Sequence, residues 1–159
     1  MDSELSVCAR KVQDTLETLG LKLQVIELPS STRTAVEAAQ AVSCQVGQIV
    51  KSLIFKTKHS GKPVLILTSG ANRVNEKRIE ELVAEPLGKA DADFVREQTG
   101  FSIGGVPPIG HRQQLETFID QDLMQYKEIW AAAGTPNAVF GLSPGDLVKM
   151  TKGKITQIS

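Results

Sequence analysis

Residues 48–57 read QIVKSLIFKT. β-Branched and aromatic side chains dominate the run, which is the composition of a strand inside a sheet. Side chains alternate between faces along a strand. Ile49, Lys51, Leu53 and Phe55 therefore share one face, and Gln48, Val50, Ser52 and Ile54 share the other. Lys51 is the one cation in an otherwise apolar row. Burying an unpaired ammonium costs on the order of several kcal/mol. Lys51 must either snorkel to the sheet edge on a packed stem or reach a pocket or a partner.

The neighbouring sequence supplies the rest of a sheet. His59-Ser60-Gly61 is a turn signal, and residues 63–69 (PVLILTS) form a second strand, so the two runs read as a hairpin. Upstream, Thr34 and Glu37 make a capping-box pattern before a helix over residues 35–44. Apolar spacing predicts a helix over residues 3–19, with Gly20 at its C-terminal end, and a strand over 21–28. Downstream, Asn75 caps a helix through Val83, and Asp91 or Asp93 caps another ending at Gly100. Residues 101–110 (FSIGGVPPIG) exclude regular helix, because glycines and prolines crowd together. Residues 112–119 are extended. Strands over 129–133 and 138–142 flank Gly134-Thr135-Pro136-Asn137. Ser143 then caps a last helix with Pro144 at its first position, before a short final strand. This order predicts an α+β (mixed α/β) fold, a mixed β-sheet or partial barrel flanked by helices, and not a doubly wound sheet.

The 159 residues fit one domain, 1–159. Eighteen basic residues balance eighteen acidic ones. Zero net charge argues against a broad grip on duplex DNA, yet leaves room for a local basic pocket that takes one end of an RNA. Cys8 and Cys44 form no C-x-x-C pair and sit in helical patterns, as small buried residues in a reducing compartment. The first residues lack the apolar core of a signal peptide, and no run is long enough to span a bilayer. A cytoplasmic protein without membrane contact is expected.

Familiar catalytic patterns are absent: there is no G-x-S-x-G, no H-E-x-x-H and no phosphate loop. His59 and His111 are too few and too isolated for a metal site, so no metal or cofactor is expected. Gly104-Gly105-Val106-Pro107-Pro108 is either a structural turn or a rigid loop that presents amides to an oxyanion. His111 follows it, as a structural histidine or as a group that positions water. Asp146 stands three residues after Ser143. There it either stabilises the helix N-terminus or neutralises a cation such as Lys51. Asn137 belongs to a turn by composition and could also read a ligand edge.

Taken in order, VKSLIFKT, LTSGANRVNEKRIEEL, ADADFVREQTGFSIGGVPPIGH and AAAGTPNAVFGLSPGDLVKMT resemble the YbaK/ProX family of aminoacyl-tRNA deacylases, relatives of the prolyl-tRNA synthetase editing domain. The resemblance covers most of the chain from about Gly47 onward. It implies a compact editing domain acting in trans on the ester at the 3′ end of a mischarged aminoacyl-tRNA, with a synthetase as a further candidate partner. By position, it implies that Lys51, Gly104 and Gly105 are catalytic. Ser52 matches the variable polar residue tied to substrate choice, and Asp146 matches the acid of the last helix. Ala132 stands where cysteinyl-tRNA(Pro) deacylases commonly carry serine. Among small substrates such as Ala, Ser, Thr or Cys, this favours the first three. The alternative is a noncatalytic tRNA-binding or synthetase-associated module with the same fold.

Overall fold

The strand singled out above is β2 (Ile49–Thr57), and it folds back antiparallel onto β3 (Pro63–Ser69) in register from Val50↔Ser69 to Lys56↔Pro63. The computed structural model describes residues 5–159. Around this hairpin are β1 (Val25–Glu27), β4 (Leu87–Lys89), β5 (Glu116–Asp120), β6 (Ile129–Ala132), β7 (Ala138–Leu142) and β8 (Lys154–Thr156). They form one mixed sheet of order β1-β7-β6-β2-β3-β5-β8, with β4 paired to β2 off that path. The helices are α1 (Val7–Thr18), α2 (Ala35–Val42), α3 (Glu76–Val83), α4 (Ala92–Thr99) and α5 (Pro144–Thr151). The expected mixed fold is the observed one.

β3 is buried along nearly its whole length, because helices cover both faces of the sheet. Leu65 and Leu67 enter the larger core with Val12 and Leu16 of α1, Phe140 of β7 and Leu147 of α5. Val64 and Ile66 face the other way, onto Ile79 of α3, Leu87 and Phe118. A third cluster joins Ala38 and Ala39 of α2 to Ile49, with Trp130 packed against it. α1 also buries Gln13, whose side chain bonds the Leu23 carbonyl at 3.0 Å and the Val25 N–H at 2.8 Å. That amide replaces the water both backbone groups lose and fixes where β1 begins.

The helix caps follow the sequence closely. Thr34 and Glu37 make the reciprocal capping box, and Asp91, not Asp93, caps α4 through the Phe94 N–H at 2.8 Å. Asn75 holds the cap position of α3 without a side-chain cap bond, and its N–H donates to the Ile158 carbonyl instead. α2 stops two residues early because Ser43 turns left-handed at φ 58°, which leaves Cys44 outside the helix. β1 is shorter than residues 21–28, since β7 offers it partners only opposite Val25, Ile26 and Glu27. β5 covers 116–120 in place of 112–119, and β6 stops at Ala132. β4 and the 3-10 turns Val46–Gln48 and Gln121–Gln125 were not expected; each is too short to show a period. The start of the expected first helix, residues 3 and 4, lies outside the described residues. Among the described residues, no helix is long and apolar enough to cross a membrane.

Glu85 ties the β2–β3 turn to the approach of β4. Its carboxylate accepts the N–H groups of Ser60 and His59, at 2.9 and 3.0 Å, and the Ser60 hydroxyl at 2.7 Å. Hydrogen bonds from Ser60 lead in holding its pKa at about 2, below the ordinary 4.5. A depressed carboxylate stabilises the fold above its unfolded pKa, and that contribution is lost as pH falls through the folded one. Glu85→Gln should therefore lower the melting temperature slightly at pH 7, and by less as the pH falls toward 2. Thermal melts at the two pH values check this.

Candidate functional site

β2 lies mid-sheet but has a full partner on one edge only. On the other edge, β6 pairs with Ile49 and Val50 and β4 pairs with Phe55 to Thr57. The sheet forks between them. Antiparallel ladders turn alternate residues toward the partner. The Gly70 N–H bonds the Ile49 carbonyl at 2.7 Å and the Thr57 N–H bonds the Lys62 carbonyl at 2.9 Å, so the odd residues of β2 face β3. Ser52 must then aim its own N–H and C=O into the fork, where neither β4 nor β6 is paired with it. Its Oγ is buried as well, and has no hydrogen-bond partner.

A cavity of about 590 Å³ opens at this fork. That is within the usual range for clefts that hold small ligands. Its walls are mostly apolar: Ala35 and Ala38 from α2, Ala131 and Ala132 from β6 and Ala90 just past β4 are small, while Leu53, Phe55 and Trp130 are large. The polar contributions are Lys51, Ser52, Gly104 and the segment 32–34, which carries the exposed Arg33.

Lys51 resolves its two alternatives in favour of pocket and partner. Its Nζ donates to the Asn72 main-chain carbonyl at 2.8 Å, and the residue lines the cavity. Burial comes first, then Arg73, in pulling the ammonium below its ordinary 10.5, while Asp120 pulls it back up. Sheet register explains Asp120. Lys51 is paired with Thr68 across β2–β3, and the parallel β3–β5 register places Asp120 beside Thr68. The three side chains thus form a row across one face. Asp120 is 1% exposed. Its Oδ2 accepts from the Thr68 hydroxyl, the Ser69 N–H and the Asn72 amide at 2.9–3.1 Å, and its Oδ1 accepts the Asp122 N–H at 3.0 Å.

The glycine pair divides its work. Gly104 lines the cavity at φ +96°, where L side chains are strained, and the Arg33 side chain packs over it. Gly105 does not line the cavity, and its N–H is committed to the Ser102 carbonyl at 3.1 Å. Gly105 is packed against the Thr135 backbone, and its carbonyl accepts the Gly134 N–H at 2.9 Å.

Three other expected residues stand outside the cavity lining. His111 bonds the Pro107 carbonyl through Nε2 at 2.7 Å and meets Phe101 edge-on, bracing the proline loop. Burial pushes its imidazole below the ordinary 6.5. Asn137 donates to the Leu28 carbonyl at 2.8 Å and so ties the β6–β7 turn to the segment leading into Arg33. Asp146 lies in the first turn of α5, where its N–H takes the Ser143 cap at 3.1 Å. The carboxylate that acts on Lys51 is Asp120, which the sequence reading missed, along with Asn72 and Arg33. The signal for Asp120 was an acid closing the apolar run TFID; an exposed arginine such as Arg33 gives none. Among the described residues, no group of three His, Cys, Asp or Glu side chains is arranged to hold a metal ion.

Comparison with known proteins converges on one family. Residues 29–150 match the profile of the aminoacyl-tRNA editing domain. A crystal structure described as that of a candidate trans-editing enzyme for prolyl-tRNA synthetase superimposes with a TM-score of 0.93 at 50% identity, covering 98% of this chain and 99% of that one. Proline–tRNA ligase of Bacillus licheniformis is 34% identical over 112 residues, which are 69% of this chain and 19% of the ligase. EbsC of Enterococcus faecalis, a candidate Cys-tRNA(Pro)/Cys-tRNA(Cys) deacylase, is 24% identical over 131 residues, 79% of this chain and 77% of EbsC.

The contact behind the cavity wall gives a direct stability test. A Cβ on Gly105 would lie 2.9 Å from the Thr135 backbone, which cannot rotate away. Gly105→Ala should cost about 1–3 kcal/mol, the usual price of overpacking. Denaturant titration measures it.

Proposed function

We propose, from the premise that this chain belongs to the aminoacyl-tRNA editing domain family, that it hydrolyses the ester joining a small, wrong amino acid to the 3′ end of a tRNA. The observation that carries the reading is that Lys51 lines the fork cavity while its ammonium bonds the Asn72 main-chain carbonyl beside it. Its other N–H donors are available to a substrate carbonyl.

The chemistry follows from that placement. Water attacks the ester carbon, and negative charge develops on the carbonyl oxygen. An ammonium in an apolar cavity stabilises that charge more than it would in water. The Ser52 N–H, turned into the same fork, is a second donor within the site. The carbon–oxygen bond to the ribose then breaks, the ribose oxygen leaves with a proton, and the free amino acid departs. No side-chain nucleophile is needed, because the ester is already activated. Arg33 and Arg73 supply local positive charge for the terminal phosphates of an otherwise weakly held tRNA.

The alanine-rich wall suits a small amino acid. Ala132 lines the cavity and adds no hydroxyl of its own. Ser52 Oγ is the buried polar atom still without a partner, and it can pair with a substrate hydroxyl or amine. Alanine, serine and threonine therefore fit best, with cysteine as a further candidate. An editing site of this kind has a clear purpose. A hydrophobic synthetase pocket separates ligands differing by one methylene by only about 1–3 kcal/mol. The likeness to part of proline–tRNA ligase supports a substrate that arises from a synthetase's error, cleared in trans.

The test is a deacylation panel of tRNAs charged with alanine, serine, threonine, cysteine and proline, run with excess substrate. We expect turnover of one or more of the first four. Lys51→Ala should lose on the order of 10²-fold or more in rate, as when a main oxyanion donor is removed, with an unchanged circular dichroism spectrum. Stoichiometric protection without turnover would support the noncatalytic module instead, and full activity in a folded Lys51→Ala protein would overturn the assignment of Lys51.

A further inference from the structure

We infer that Asp120 is a positioning residue for Lys51, acting through Asn72 to fix where the ammonium sits and to keep it charged. The kinetic part of this inference rests on the function proposed above; the electrostatic part does not.

Three observations carry it. First, Asp120 is a carboxylate buried beneath the site, and a buried charge is retained only where its surroundings satisfy it. Its oxygens accept from Thr68, Ser69, Asn72 and Asp122, which satisfies the charge without a cation in direct contact. Among the described residues, it forms no salt bridge. A negative charge is thereby stored one residue away from Lys51. Second, the Asn72 side chain is clamped by two acids, donating to Asp120 at 2.9 Å and to Asp122 at 2.7 Å. The same residue's carbonyl takes Lys51 Nζ at 2.8 Å. Asn72 is therefore a rigid link, with its amide drawn toward the carboxylates and its carbonyl turned to the ammonium. Third, the loop that carries Asn72 is held by more than that clamp. The Asn72 N–H bonds the Ser69 carbonyl at 3.0 Å, and the Ser69 hydroxyl bonds the Gly47 carbonyl at 2.7 Å.

The arrangement answers a physical difficulty. An apolar cavity strengthens whatever an ammonium does to a developing oxyanion, but it also favours losing the proton. Arg73, on the same loop, pushes in that direction. Asp120 from the end of β5 opposes it, with Asp122 from the next turn behind Asn72. Arg33 faces the cavity from the segment before α2, while Glu37 of α2 is occupied by its own cap at Thr34. A carboxylate placed directly on Lys51 would keep the charge but neutralise its pull on the substrate. Setting it one residue back keeps the charge and leaves the donors free.

The experiment uses protein labelled with ¹³C at lysine Cε, with the Lys51 signal assigned by Lys51→Arg and followed through a pH titration. Asp120→Asn keeps the shape and removes the charge. Lys51 should then titrate at lower pH by about one unit, equivalent to a tenfold change in proton affinity, and the alkaline limb of kcat should move with it. Asn72→Ala leaves Asp120 bonded to Thr68, Ser69 and Asp122. It should lower kcat about tenfold while KM changes less than twofold, the pattern of an interaction realised in the transition state. Glu85→Gln, which loosens the distant hairpin turn, controls for general destabilisation and should leave the Lys51 titration unmoved. An unshifted Lys51 in folded Asp120→Asn, or wild-type kcat in Asn72→Ala, overturns the inference. If Asp120→Asn does not fold, the Asn72→Ala kinetics alone decide. If the wild-type protein turns over no substrate, the proposed function fails, while the titration of Lys51 still decides the electrostatic claim.

Discussion

A strand in the middle of a sheet needs partners on both edges, and β2 lacks one along its centre. Everything else at the site follows from that deficit. β6 satisfies the start of β2 and β4 satisfies its end, so the unpaired groups are confined to the stretch around Ser52. Buried backbone donors and acceptors left without partners are costly, and such a position persists where water or a ligand satisfies it. The fork therefore creates a polar slot inside an apolar sheet. Small side chains on the flanking elements widen the slot into a cavity, and the hairpin with β3 keeps it from closing.

The electrostatics are local. The chain as a whole is neutral, so no long-range field draws it to RNA. Charge at the site comes from Lys51 and the exposed Arg33 on the cavity wall, with Arg73 acting on Lys51 from the neighbouring loop and Asp120 buried behind it. Under the function proposed above, a site built this way would take the end of a nucleic acid and not its length. That is the demand made by an ester at a 3′ terminus.

Much of this was legible in the sequence, and the limits have physical causes. The hairpin, the capping box at Thr34, the serine cap of α5 and the isolated cation at Lys51 are local features, and local chemistry decides them. The fork was not legible. It depends on β4, whose three residues pair only because β2 passes beside them. β2 itself was read as a central strand; it holds that place in strand order, yet its middle is only half-buried because the fork opens there. Asp120 was missed because its neighbours are set by register across three strands, Lys51 to Thr68 to Asp120. His111, Asn137 and Asp146 were candidates because polar residues near glycine turns can serve a ligand. Each instead satisfies a backbone group or a helix end. His111 and Asn137 tie loops that flank the cavity, and Asp146 lies in the first turn of α5.

The central claim is that the fork in β2 is where the aminoacyl end binds. The most direct measurement is an amide NMR titration of the ¹⁵N-labelled protein with alanyl-adenosine joined through a non-hydrolysable 3′ amide. The account predicts saturable shifts centred on the amides of Lys51, Ser52 and Gly104, with Ala131 and Ala132 following. Shifts centred instead on the exposed groove of α1 around Arg10, Lys11 and Leu19, with the fork amides unmoved, would contradict it.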